Sequence, residues 1–187
     1  SVSVGASSQA GEITLHGADA SLSVFGSADR VEIAETAASA SVMVATDASV
    51  ETVAISAAQT ELSAYGSIAS VDVTRQAADT LVSAESGAQI DRVSTAGTGT
   101  TVKGAGKVSH VAVSDGASGV TVNTIGSKID NNSSEAVSSG TGSIQPGHAG
   151  TSNGENSAPT QDGPSSGGSG SGGGDTVQQA DIVKAPL

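Results

Sequence analysis

The side chains that could act as acids, bases, nucleophiles or ligands are scattered along this 187-residue chain. His16, His110 and His148 are its three histidines, and none has a second ligand at a metal-binding spacing, so they are expected as ordinary exposed or turn residues. Among the carboxylates, Glu32 and Asp72 share a position in a repeat described below, but Ala54 stands between them. Serine is abundant without any nucleophile motif around it, and outward strand positions and turns account for it. The glycine-rich stretch 163–174 has no Lys-Ser or Lys-Thr and no following helix, so it is not a phosphate-binding loop. The pairs of glycines with aspartate that mark calcium-binding nonapeptides are also absent. We therefore expect no catalytic residue, no cofactor and no metal. The chain's one Phe and one Tyr, Phe25 and Tyr65, lie 40 residues apart in the same local context. Their expected place is packed at a corner; the alternative is an exposed aromatic platform for a glycan.

What positions these residues is a repeat. Leu22, Val42, Leu62, Val82, Val102 and Val122 follow one another at steps of 20, and Val2 extends the series backwards. Two residues on, Val4, Val24, Val44, Ala64, Ala84 and Gly104 form a second such ladder. Alternation at period two marks a strand with one face inward, and recurrence at a fixed interval marks stacked coils of a solenoid. A further ladder of small residues, Gly17, Ala37, Ala57, Ala77, Gly97 and Ala117, points to a bend where coils approach closely.

A second strand signal has copies Ala10-Ile13-Leu15, Ala28-Val31-Ile33, Val50-Val53-Ile55, Ile68-Val71-Val73, Ile90-Val93-Thr95 and Val108-Val111-Val113. Its first member is expected at a corner, because a spacing of three breaks strand alternation. The middle residues step by 18, 22, 18, 22 and 18, so pairs of coils make a 40-residue super-repeat with alternating short and long corners. A single coil of 40 residues with four strands is the competing geometry. It is disfavoured because aromatics are only 1% of the chain, too few to fill so wide a bore.

The expected fold class is therefore all-β, a parallel β-helix (β-solenoid) of about 20 residues per coil, with about six coils over residues 1–130. Ser, Thr, Val and Gly in alternation exclude a helical repeat. Residues 131–174, rich in Ser, Gly and Pro, are expected as a flexible, disordered linker, and 175–187 as a C-terminal stub with a possible short strand. On such a scaffold Glu32 and Asp72 would stand about 10 Å apart, beyond the usual separation of a glycosidase pair. The outward residues, from Ser21/Ser23 to Thr121/Asn123, are too mixed for the flat threonine array of an ice-binding face.

A formal charge of −12 opposes nucleic acid and anionic membranes as partners. Cysteine is absent, so no disulfide or thiolate site exists. No apolar run is long enough to insert in a membrane. The chain opens on Ser1 without a charged n-region or apolar h-region, which suggests a processed or excised piece.

The stretch Gly106-Lys107-Val108-Ser109-His110-Val111-Ala112-Val113, followed by Gly119-Val120-Thr121-Val122-Asn123, resembles the Val-rich parallel β-helix repeats of Gram-positive surface-layer and cell-wall-associated proteins. In those proteins a Gly/Ser-rich linker often follows the helix, as 163–174 would here. The resemblance implies a secreted, extracellular cell-surface location and a structural, spacer or self-assembly role, with partners being the chain itself, end to end or laterally, or a surface glycan. Adhesins and tail fibres that bind carbohydrate use similar solenoids, as do polysaccharide lyases and hydrolases. These remain the alternatives, and the uniformly short connections argue against an enzyme.

Overall fold

A computed structural model describes residues 1–153, and every regular element among them is a β-strand. Seven coils follow one another, each made of a first and a second strand. They are β1 (Val2–Val4) with β2 (Gln9–Leu15), β3 (Ser21–Val24) with β4 (Ser27–Ile33), and β5 (Ser41–Val44) with β6 (Ser49–Ile55). Then come β7 (Glu61–Ala64) with β8 (Ser67–Val73), β9 (Leu81–Ala84) with β10 (Gln89–Thr95), β11 (Thr101–Lys103) with β12 (Lys107–Val113), and β13 (Thr121–Asn123) with β14 (Ile125–Asn131). All first strands stack in one parallel sheet and all second strands in another.

The register follows the ladders. Leu22 pairs with Val2 on one side and Val42 on the other; Val42, Leu62, Val82, Val102 and Val122 continue the row. Because Leu22 meets Val42 and not Leu62, one coil is 20 residues and the four-strand coil of 40 is excluded. In the second sheet Ile13, Val31, Val53, Val71, Val93, Val111 and Ile129 stand in line. From Val31 onward these side chains are fully buried, in a narrow core of Val, Ile, Leu and Ala. Each inward residue therefore packs on its own copies above and below, and neither strand of a coil could hide its apolar edge alone.

The uneven steps resolve into two compensating corners. Between first and second strand the corner is residues 5–8, 45–48 and 85–88 in odd coils, but only 25–26, 65–66 and 104–106 in the even coils through the sixth. The return corner does the reverse: 16–20, 56–60 and 96–100 in odd coils, 34–40, 74–80 and 114–120 in even ones. A coil that gains residues at one corner loses them at the other, which keeps the first sheet at steps of 20 while the second alternates.

A left-handed backbone position recurs in the return corner: Asp19, Ser39, Gln59 and Asp79 have φ between 53° and 59°, and Gly99 and Gly119 have φ of 69° and 61°. The N–H groups of the first five donate to the carbonyls of Ala38, Ala58, Ala78, Thr98 and Ser118 in the next coil. The sixth, Gly119, donates instead to the Glu135 carboxylate at 3.2 Å.

Ordered strands continue past Asp130 into the stretch expected as linker. β15 (Val137–Ser139) joins the first sheet in parallel, then turns back as β16 (Gly142–Ile144), and β17 (His148–Asn153) runs antiparallel to β14. The core turns polar here to receive them. Asn131 occupies the inward position next to Val113 and is 1% exposed. Its Nδ2 donates to the carbonyls of Glu135 (2.8 Å) and Ile144 (2.9 Å), while its Oδ1 accepts from Ser133 N–H and Oγ–H. Thr124 and Ser127 share a buried hydrogen bond of 2.6 Å, and Ser152 of β17 accepts from the Ser127 N–H. The rest of the linker, 154–174, and the stub 175–187 lie outside the described residues.

Candidate functional site

On the outer face of the second sheet, the position of Glu32 is followed by Ala54 and then Asp72, so the two carboxylates are separated by a whole coil. Each has a local partner. Arg30 lies 3.5 Å from Glu32 and 3.6 Å from Glu12, and Asp72 accepts from the Ser70 hydroxyl at 3.4 Å. These are half-exposed charges on the outer face of a sheet, a setting in which ion pairs contribute little.

The histidines stay apart. His16 and His148 are exposed. His110 is half-buried, and its Nε2 lies 2.7 Å from Asp130 Oδ2. That pair was not anticipated from the residues, although the second-sheet step of 18 puts Lys128 beside His110 and Asp130 two places further on. Arg92, His110 and Lys128 thus stand in one row across three strands on an acidic molecule. No group of three His, Cys, Asp or Glu among the described residues could hold a metal ion. A shallow groove of about 390 Å³ carries Asp29, Glu51 and Asp91 along its wall, with Ala69 interrupting the row. Nor is any helix among the described residues long and apolar enough to cross a membrane.

The two aromatic rings are placed differently from expectation. Both stand at corners, yet Phe25 is 43% and Tyr65 41% exposed. Each occupies the two-residue corner of an even coil, and each is followed by a glycine with no room for a side chain. A Cβ on Gly26 would lie 2.2 Å from the Ser8 carbonyl oxygen, and one on Gly66 would lie 2.3 Å from those of Ala45 and Ala48. The short corner is therefore pressed against the base of the four-residue turn before it, held by Phe25 N–H to Val4 O (2.9 Å) and Tyr65 N–H to Val44 O (2.8 Å). Long corners must bulge outward to use their extra residues, and Ala6, Ser7, Thr46, Asp47, Ser86 and Gly87 are all exposed. The edge is consequently notched once every two coils.

The notch at Phe25 is a groove of about 510 Å³ walled by Ser7, Ser8, Gln9, Ser27, Asp47 and Ser49. Its signal in the sequence was the alternation of 18 and 22, but only strand pairing shows that the rings sit in the recesses. Compared with models of protein families, with curated proteins and with solved structures, the chain matches none.

Proposed function

We propose that the chain is a non-enzymatic structural module, a spacer and assembly unit of a secreted bacterial cell-surface protein. The observation that supports this reading is the uniformity of the rod. Seven coils are joined by corners no longer than residues 34–40, so among the described residues no loop is long enough to wall a substrate cleft. From the first coil to the seventh the strands rise about 29 Å at the usual interstrand spacing, and a stack in which each inner coil grips two neighbours is stiff along its axis.

The two ends differ. Parallel stacking stops at β16 and β17, which run antiparallel to their neighbours. Among the described residues β1 and β2 have a neighbour on one side only, and Val2 is 49% exposed there. Assembly therefore does not proceed by extension of the parallel ladder beyond β14. The test is incubation of the full chain with a panel of acidic and neutral polysaccharides, followed by assay for new reducing ends. No turnover is expected; turnover of any of them would overturn the structural reading.

A further inference from the structure

Phe and Tyr occur once each in this protein, and the solenoid leaves both at the surface, at equivalent two-residue corners two coils apart. Core packing does not explain this placement, since the bore is filled by aliphatic side chains. We propose that the notched edge carrying Phe25 and Tyr65 is a binding surface for a neutral, β-1,4-linked polysaccharide, which the rod holds along its length. The proposal adds a ligand to the spacer reading and rests on it.

Three features select this ligand. Aromatic faces exposed beside hydroxyl and amide groups suit a pyranose, which offers an apolar C–H face ringed by hydroxyls; around Phe25 those groups are Ser7, Ser8, Gln9, Ser27 and Ser49. The rings recur every two coils, about 10 Å. In a β-1,4-linked chain each sugar is turned over relative to its neighbour, so the same face returns on every second sugar, and one disaccharide spans one notch period. Finally, Asp47 stands in the groove and the protein carries a charge of −12, which disfavours an anionic polymer.

The third notch supplies an internal control. Ala105 takes the sequence position of Phe25 and Tyr65 there and is exposed, and Gly106 is pressed on the Glu85 carbonyl as Gly66 is on that of Ala45, although this corner is one residue longer, with Gly104 at a φ of 121°.

Native affinity electrophoresis of the full chain in gels containing hydroxyethylcellulose, xylan or polygalacturonate tests the proposal. Retardation is expected in the two neutral glycans and not in polygalacturonate. Phe25→Ala or Tyr65→Ala should weaken it roughly fivefold, and the double variant should abolish it. Ala105→Tyr should strengthen it by a similar factor, an arm that does not depend on truncating either ring. Unretarded wild-type protein, or retardation that survives the double substitution, would overturn the inference. So would self-association in sedimentation that the double variant loses, which would assign the rings to a contact between copies. All these outcomes are read apart from the reducing-end assay, so failure of the glycan proposal and failure of the spacer reading are distinguishable.

Discussion

Asn131 stands in register with Val113, at the point where an inward row running Leu15, Ile33, Ile55, Val73, Thr95, Val113 exchanges apolar side chains for an amide. The exchange ends the stack: where the next Val would demand another coil, Asn131 offers donors and acceptors that the cap fills. Asn131→Ala should therefore loosen the cap and cost about 3 kcal/mol, since it removes the four hydrogen bonds of the amide and takes the acceptor from the buried Ser133 N–H. Chemical denaturation should show the loss, and hydrogen exchange should place it in 131–153 first.

At Gly26 and Gly66 the notches depend on glycine for space, not for unusual backbone angles. Gly66→Ala would force a Cβ to within 2.3 Å of two carbonyl oxygens, so one coil must move off the other. A loss of several kcal/mol, about the scale of a disrupted core site, is expected in denaturant titration. Gly17 has nothing within 4 Å of the same construction. Gly17→Ala should be neutral or stabilise by up to about 1 kcal/mol through the unfolded chain.

A buried hydroxyl offers a route to a more stable rod. In the row Thr60, Thr80, Thr100, the first donates to the Ala57 carbonyl and the third bonds Thr95 at 2.8 Å. Thr80 Oγ1 has no partner, because Val73 stands where Thr95 does. Thr80→Val keeps the shape and removes the orphan, so the midpoint of unfolding should rise by an amount worth about 1 kcal/mol.

Stacking predicts a gradient along the rod. Leu62 is fully buried between Val42 and Val82, whereas Val2 at the edge is half exposed. Leu62→Ala should cost about 3 kcal/mol, and Val2→Ala well under 1 kcal/mol, in the same calorimetric experiment.

Much of this was legible in the residues because the core is built from identical positions. Once Leu22 and Val42 are known to face inward, the step of 20 fixes every later partner, and the two strand signals give the two sheets. The cap was not legible. Ser127, Ser133 and Ser152 are buried and hydrogen-bonded, yet Ser133 and Ser152 lie in the Ser/Gly-rich composition that reads as linker, since a core closed by hydroxyls has no apolar period. The exposure of Phe25 and Tyr65 was likewise hidden, because large rings are ordinarily buried and only the pairing of unequal corners shows the recess they occupy. Left-handed positions at Ser39 and Gln59 gave no glycine to mark them, although Gly99 and Gly119 continue the same row.

A stiff stack of coils is the claim on which spacing and ligand placement both depend. Because the chain contains no cysteine, spin labels can be attached at Ser3→Cys and Lys103→Cys alone, two exposed positions joined by five successive pairings through Ser23, Met43, Ser63 and Ser83. Electron–electron distance measurement on the full chain should give one narrow distribution centred at about 24 Å, allowing for the label arms. A broad distribution, or one centred far from that separation, would contradict the stacked rod.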